Sequence, residues 1–419
     1  MLFCLHCLPM SVLSSDARAQ PGLREFVLLM AALMSVVAMS VDGMLPALLG
    51  MQSDFGVAHA ADMQYVVLVL FLGLSAGQLV AGPAADAFGR KPVIVVGFAV
   101  FVVGCVVSTL AASLPVMLFG RVLQGLGAAA PRVVSTAMVR DRFEGRELAR
   151  VNSLVTTTFI LVPMVAPAVG QLVTWALGWR AIFVLFAALA LISGAWLWWR
   201  QPETLAPEAR KALRLREVSA AFGECLRHPE SWPFVVAMGL VFSPLFAYLS
   251  NAQIIFGDIY GQPDWFPVLF GSLASMVGVA SMVNARWVMR LGAPRLVGRA
   301  LRVLMVASAV FALARWLWPE MDRLWVSYLW MAISFFCFGL LFGNLMALSL
   351  QPLGHRAGVG AALMSTVSNL MATPLGAWIG HSLQGSIDAM VWGVGLCALG
   401  AYAVTARVRL SPSAPQRVV

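Results

Sequence analysis

The sequence predicts an all-α membrane protein of twelve transmembrane helices, arranged as two six-helix bundles. Three observations predict this fold class. First, 60% of the 419 residues are hydrophobic and only 11% are charged, whereas a soluble domain of this length needs far more polar surface. Second, apolar runs of about 20 residues, the length that crosses a bilayer, recur along the chain. Third, one long polar stretch, 201–230, divides these runs into two equal sets.

The apolar runs also predict the domain organisation. The predicted helices lie near 25–50, 61–83, 92–112, 114–138, 151–175, 179–200, 231–257, 266–290, 295–317, 324–350, 357–381 and 387–408. They form an amino-terminal bundle (24–200) and a carboxy-terminal bundle (231–408). A cytoplasmic linker with some amphipathic helix (201–230) joins them, and a cytoplasmic tail (409–419) follows. Residues 1–23 are expected to be a loose tail, or to precede a later start at Met10, because no basic residue precedes their apolar part as in a signal peptide.

Basic residues predict how the chain is oriented. The loops that carry most of them fall on one side of the predicted helices, and the other side holds only Arg180, Arg315 and Arg323. Positively charged loops remain in the cytoplasm, so both termini are predicted to be cytoplasmic, in a bacterial inner membrane. These loops also account for the formal net charge of +9. The basic residues form no stripe of the kind that binds nucleic acid.

The stretch Gly82–Pro92 separates the second and third apolar runs. It places Asp86, Arg90 and Lys91 within six residues, in a chain where charge is scarce. Glycines such as Gly82 and Gly89 permit a tight turn and a close backbone approach. The stretch therefore predicts a short cationic loop between two spans. Taken alone, the same residues also fit an ordinary positively charged cytoplasmic loop.

Asp42 is the one carboxylate predicted to lie well inside a span. A charged carboxylate is costly in hydrocarbon, so Asp42 is expected to face the bundle interior, to pair, or to bind a proton. The alternative is a surface position, at a helix end frayed by Gly43 and Pro46.

Arg121 lies at a similar predicted depth in the fourth helix, about 10 Å from its outer end. Pairing with Arg121 would keep the Asp42 carboxylate charged, and opening of the pair would free it to take a proton. Asp42 and Arg121 are therefore candidate proton-coupling residues; the alternative is a static pair between helices 1 and 4. Arg132 follows Arg121 by about three turns on nearly the same face. It is expected either to line a cavity or to pair with Asp86 or a loop acid.

Two motifs resemble those of major facilitator superfamily transporters. Gly82–Pro92 resembles the pattern G-x-x-x-D-x-x-G-R-[KR]-P between helices 2 and 3, and Arg121–Gly127 resembles the helix-4 motif R-x-x-Q-G-x-G through Arg121, Gln124 and Gly125. The family resemblance implies proton coupling at Arg121. It also implies a conformational gate that comprises Gly82, Asp86, Gly89, Arg90, Lys91 and Asp141. Within this gate, Asp86, Arg90 and Asp141 would form a charge relay that locks the outward-open state, with Asp86 facing the start of helix 11 near Arg356–Gly358.

The fifth helix resembles the antiporter motif of drug exporters, which ends G-P-x-x-G-G. Pro163, Pro167 and Gly170 carry this resemblance, whereas Ala166 and Gln171 depart from it. Further stretches, among them Asp42–Pro46 and Gln78–Pro83, are similar to the bicyclomycin-resistance and chloramphenicol-exporter group. Seven residues are candidates to line a central cavity, where methionines and aromatics suit a promiscuous apolar site: Met34, Met44, Phe242, Tyr248, Asn251, Phe256 and Asn344. The alternative for each is lipid contact or packing.

Together these features predict a proton-coupled secondary transporter that exports drug-like, apolar or amphipathic molecules by drug:proton antiport with alternating access. Its energy source would be the proton gradient, because no phosphate-binding G-x-x-x-x-G-K-[ST] loop occurs. No cofactor and no metal are expected, and the expected partners are a small-molecule substrate, protons and the lipid bilayer, with the chain a monomer. The alternatives are a proton-coupled uptake carrier for one metabolite and, more remotely, a membrane-embedded enzyme or sensor.

Overall fold

A computed structural model describes residues 21–210, 223–224, 227–318, 324–383 and 385–407. In the first half of the chain the helices are α1 (Leu23–Asp42), α2 (Leu48–Phe55), α3 (Gln64–Phe88), α4 (Arg90–Thr109), α5 (Leu114–Arg142), α6 (Gly145–Leu177) and α7 (Arg180–Arg200). In the second half they are α8 (Trp232–Gln253), α9 (Phe266–Leu291), α10 (Ala293–Leu317), α11 (Leu324–Leu350), α12 (Ala357–His381) and α13 (Asp388–Ala406). No strand occurs among the described residues.

The described residues contain twelve membrane-spanning units, as the sequence predicts. Ten helical stretches in the described part of the chain are long and apolar enough to cross a membrane, and in the first of them α1 and α2 form one unit. The other two units are α6 and α12, whose 33 and 25 residues have the necessary length at about 1.5 Å per residue. Short 3₁₀ turns join several of these helices, and α8 continues into a π-helical turn, Ile254–Ile259.

The helices form two bundles that meet along two seams. In the first bundle α5 packs against α3 and α4, and α1 packs against α6; in the second, α8 packs against α12 and α13. One seam joins α3 to α12, where Asn369 Nδ2 donates to Ser75 Oγ at 2.9 Å. The other joins α6 to α9, where a Cβ on Gly271 would lie 2.6 Å from the Met164 carbonyl oxygen.

The predicted loop at 82–92 is much shorter than expected. Helix α3 continues through Pro83 as far as Phe88, and α4 begins at Arg90, so Gly89 alone makes the turn. Its φ of +100° is open to glycine and strained for other residues. Gly292, at φ +77°, joins α9 to α10 in the same way, so the two halves share this turn. We call the end of the molecule that carries both turns the Gly89 end, and the opposite end the Asp54 end.

Helix α1 ends at Asp42, and the chain then passes through a 3₁₀ turn, Leu45–Ala47, into α2. Pro46 lacks an N–H and cannot continue the hydrogen-bond ladder. The helix therefore breaks near Asp42, yet Asp42 itself is only 7% exposed. The surface alternative for Asp42 does not hold.

Several predictions concern residues beyond this description. The tail segments 1–20 and 408–419 and the linker positions 211–222 and 225–226 lie outside the described residues. The amphipathic helix expected in the linker falls mainly on those positions. The described start of the linker, residues 201–210, contains a 3₁₀ turn at Pro207–Ala209.

Candidate functional site

Asp42 lies where the two bundles approach each other. Its carboxylate forms no hydrogen bond or ion pair in the described part of the chain, although the side chain is buried. The turn that follows Asp42 meets α8 of the other bundle, where Gln253 Nε2 donates to the Pro46 carbonyl at 3.3 Å. The Tyr248 hydroxyl, also on α8, is buried and lacks a hydrogen-bond partner among the described residues. Two polar groups without a described hydrogen-bond partner therefore lie on the elements that meet here.

The helix-5 motif brings α6 against α1 at this point. A Cβ on Gly170 would overlap the Gly43 carbonyl oxygen, and a Cβ on Gly43 would lie 3.5 Å from the Ala166 carbonyl oxygen. Pro163 lies inside α6 just before this contact region and Pro167 lies within it, and each removes one backbone hydrogen bond. Small residues permit this close backbone approach. The motif therefore positions α6 directly beside Asp42.

Arg121 is fully buried, and backbone carbonyls surround its guanidinium. Nε donates to the Val66 carbonyl at 2.9 Å, and Nη2 donates to the Ser40 carbonyl at 2.8 Å. Ser40 lies in the last turn of α1, where carbonyls lose their intrahelical donors. Asp42 is not among the partners of Arg121, so the ion pair suggested by the sequence is not formed in this structure. Arg121 instead binds the Ser40 carbonyl, in the same turn of α1 as Asp42.

Gln124 extends this contact to a fourth helix. Its Oε1 accepts from Arg121 Nη1 at 2.6 Å, and its Nε2 donates to Ser108 Oγ on α4 at 2.9 Å. Gly125 allows α5 to lie against α3, because a Cβ there would overlap the Leu70 carbonyl oxygen. The motif R-x-x-Q-G therefore connects α1, α3, α4 and α5 around one buried cation.

The charge relay implied by the resemblance is present at the Gly89 end. The Arg90 side chain is 9% exposed and bridges two acids: its Nη1 lies 2.6 Å from Asp86 Oδ1, and its Nε lies 2.8 Å from Asp141 Oδ2. Lys91 Nζ donates to the Trp198 carbonyl at 3.2 Å. A Cβ on Gly82 would meet no atom within 4 Å, so no close approach depends on that glycine. The expected contact between Asp86 and Arg356–Gly358 involves side chains outside the description.

Glu203 joins this cluster of charged residues, and sequence reasoning missed it. Its two oxygens accept from the backbone N–H groups of Arg90 and Lys91, at 3.0 and 3.1 Å. It thereby caps the amino terminus of α4, where a negative charge is favourable. A Cβ on Gly89 would lie 2.8 Å from Glu203 Oε2, so the glycine also makes room for this cap. The sequence does show that Glu203 is an acid just after the predicted helix 179–200, but nothing in it indicates that Glu203 caps α4.

The seven candidate cavity residues mostly pack within the helices here. Met44, Tyr248 and Phe256 are buried, with exposed fractions of 0, 3 and 0%, so they contribute to core packing in this structure. Met34 is half-buried against the same core, and Phe242 stacks on a neighbouring ring at 4.4 Å.

The two candidate asparagines form side-chain hydrogen bonds instead. Asn251 Nδ2 lies 3.4 Å from Gln64 Oε1 across the bundles, and Asn344 Nδ2 donates to Asn284 Oδ1 at 2.6 Å. Asn284 is a further polar residue that the sequence did not single out. Whether any of the seven residues contacts a substrate stays a prediction.

Arg132 differs from Arg121 in its surroundings. It lies deep in the fold, yet its side chain is exposed, and it forms no hydrogen bond or ion pair in the described part of the chain. Asp86, its predicted partner, is held by Arg90. Of the two alternatives for Arg132, this arrangement fits the cavity position.

Comparisons with known proteins agree with the fold and the motifs. The sequence profile of the Major Facilitator Superfamily matches residues 28–377. A bicyclomycin resistance protein homolog of Haemophilus influenzae is 28% identical over 393 residues, which cover 91% of this chain and 96% of that protein. Multidrug resistance protein D of Escherichia coli is 25% identical, covering 89% and 93% of the two chains. The crystal structure of a D-xylose-proton symporter superposes with a TM-score of 0.72 at 14% identity, covering 90% and 97%. The chain therefore belongs to the Major Facilitator Superfamily, whose members are transporters rather than enzymes.

Proposed function

We propose that this transporter is a proton-coupled antiporter that exports drug-like apolar or amphipathic molecules from a bacterium. It would lie in the inner membrane with both termini in the cytoplasm, and the proton gradient would be its only energy source. The names of its bicyclomycin- and multidrug-resistance relatives support the substrate class. The observation that carries the proposal is the buried carboxylate of Asp42 between the two bundles, which has no partner among the described residues.

Asp42 has the properties that a proton carrier requires. An enclosed carboxylate without a counter-ion is most stable with a proton bound, whereas access to water or a cation favours its charged form. A change in the packing of the two bundles would therefore change whether Asp42 holds its proton. Substrate that enters beside Asp42 would do the same, which couples proton release to substrate binding.

The seams between the bundles support alternating access. On α3, residues that contact the second bundle include Gln64, Phe71 and Ser75 in the half toward the Asp54 end, and Leu79 just past the middle of the helix. The face of α5 that carries Arg121 is enclosed at Arg121 but exposed at Arg132, toward the Gly89 end. This pattern supports a state closed at the Asp54 end and open at the Gly89 end. Arg90, its two acids and Glu203 would then regulate the opposite transition.

Substrate-evoked proton movement in proteoliposomes tests the proposal. Wild type is compared with Asp42→Asn, after a panel of hydrophobic antibiotics and cationic dyes has identified a transported compound. The matched control is Asp54→Asn, because Asp54 is an exposed acid on the same span whose Oδ2 accepts from Trp179 and Arg180. Proton release in wild type and in the control, lost in Asp42→Asn, is the expected result.

Two outcomes would contradict the proposal in different ways. Unchanged proton movement in Asp42→Asn would remove Asp42 from the coupling mechanism. Proton movement in the same direction as the substrate would instead show an uptake carrier, while the fold and the role of Asp42 would stand.

A further inference from the structure

The second bundle carries a groove on its outer surface, between α9, α10 and α11. Its volume is about 690 Å³. Its walls are apolar along most of their length, with Val303 and Leu329 exposed at 47% and 62%. Exposed apolar side chains on a membrane-spanning bundle face lipid. The groove therefore opens to the bilayer rather than to the space between the bundles.

Two arginines, Arg290 and Arg299, line this groove at the Gly89 end. Neither forms a hydrogen bond or ion pair among the described residues. Trp287, which also lines the groove and is 44% exposed, lies one turn before Arg290. Tryptophan beside arginine at a helix end is typical of the headgroup level of a membrane.

The local charge is one-sided. Arg286, Arg290, Arg295, Arg299 and Arg302 fall within seventeen residues, and the segment 265–318 contains no Asp or Glu. A cluster of this size at a membrane surface attracts anionic lipid headgroups. The arginines at the groove thus lack an acidic partner from their own helices.

The groove is long enough for an acyl chain. Along α11 its lining runs from Leu329 to Leu340, eleven steps or about 16 Å of helix. Leu340 lies ten residues before the end of α11 at Leu350, so this part of the lining lies deeper in the membrane than the two arginines. One acyl chain fills half of a bilayer hydrocarbon core, which is about 15 Å thick. An acyl chain could extend along the apolar walls while its headgroup stays level with the two arginines.

We propose that this groove is a binding site for an anionic phospholipid of the surrounding bilayer. The phosphate and any further headgroup charge contact Arg290 and Arg299, and an acyl chain fills the apolar groove beyond them. Phosphate suits arginine because the planar guanidinium donates two parallel hydrogen bonds. The site is separate from Asp42 and does not depend on the transported substrate.

Lipid affinity measured on the purified full-length protein by native mass spectrometry tests this assignment. The probes are dioleoylphosphatidylglycerol, dioleoylphosphatidylcholine with the same chains, and glycerol phosphate as a headgroup without chains. We expect phosphatidylglycerol to bind about thirtyfold more tightly than phosphatidylcholine, the factor that two surface arginines supply. Glycerol phosphate should not compete at concentrations comparable to the lipid.

Three variants locate the site. The double change Arg290→Gln with Arg299→Gln should abolish the preference for phosphatidylglycerol. The control, Arg286→Gln with Arg302→Gln, removes the same amount of charge outside the groove lining, and this variant should keep the preference. Ala332→Phe narrows the groove and should lower the affinity for both lipids by the same factor. If the first double variant fails to fold, the single changes Arg290→Gln and Arg299→Gln replace it, and each should remove part of the preference.

Any of three results would overturn the proposal. Equal affinity of wild type for the two lipids would show that no anionic headgroup is recognised. An equal loss in both double variants would show a diffuse surface charge rather than a site. Competition by glycerol phosphate alone would show a site for free phosphate in place of a lipid.

Discussion

The contact between α3 and α5 predicts unequal effects for two glycines on the same helix. An alanine Cβ at Gly77 would lie 2.6 Å from the Ala129 Cβ and 2.6 Å from the Leu126 carbonyl oxygen. Carbon atoms pack best at about 3.5 Å or more, so α3 would have to move from α5 by roughly 0.9 Å. Overpacking of this kind costs about 1–3 kcal/mol. Alanine in place of glycine in a helix interior stabilises the helix by about 0.5–1 kcal/mol, which offsets part of this cost.

Gly82 provides the matched control, because a Cβ there meets no atom within 4 Å apart from its chain neighbours. Pro83 follows it inside the helix, so contact of that Cβ with the proline ring offsets part of the helix-propensity gain. We expect Gly77→Ala to lower the free energy of unfolding by about 1–2 kcal/mol and Gly82→Ala to change it by less than about 0.5 kcal/mol. Equilibrium unfolding in mixed micelles of increasing SDS content, followed by circular dichroism, measures both. A Gly77→Ala protein as stable as Gly82→Ala would refute the close packing of α3 on α5.

Two further changes test the gate and the helix-5 contact. Glu203→Ala removes the cap of α4 and should lower the free energy of unfolding by about 1–2 kcal/mol in the same assay. Glu208 is an exposed acid of the same segment, so Glu208→Ala should have no effect. Equal effects of the two changes would contradict the cap. Gly170→Ala pushes α6 away from the Gly43 carbonyl, next to Asp42, and should reduce substrate-evoked proton release. Gly298→Ala, where a Cβ meets open space, should leave proton release unchanged. Normal proton release in Gly170→Ala would show that this helix contact does not contribute to proton coupling.

The relay around Arg90 shows how far local patterns reach. Asp86 and Arg90 are four residues apart, and they form an ion pair across the turn at Gly89. The family resemblance supplied the partner Asp141, which is 51 positions away in the chain. Glu203 completes the same site from beyond α7, and no pattern indicated it. A single acid in a polar segment has many possible partners, and only packing selects one.

Arg121 illustrates a different limit. Its type and motif indicated a functional buried cation, and a carboxylate was the expected partner. The structure instead provides the carbonyls of Ser40 and Val66. Every residue has a carbonyl, so the sequence cannot show which ones a helix break or a crossing angle makes available. Met44 and Phe256, whose residue types suit a substrate cavity, are buried in this structure, and their contact with a substrate stays a prediction.

The sequence by itself determined the membrane-spanning helices, the presence of a turn within 82–92 and the identity of the isolated carboxylate Asp42. Each of these depends on hydropathy, backbone freedom or charge within a few neighbouring residues, and such properties can be read locally. Only the tertiary structure decided that Gly89 alone makes that turn, that Asp42 is buried without a counter-ion among the described residues, that Arg121 binds backbone, and that α9, α10 and α11 leave a groove beside two arginines. These features arise from the distances and angles between helices far apart in the chain, which the many weak packing contacts set together.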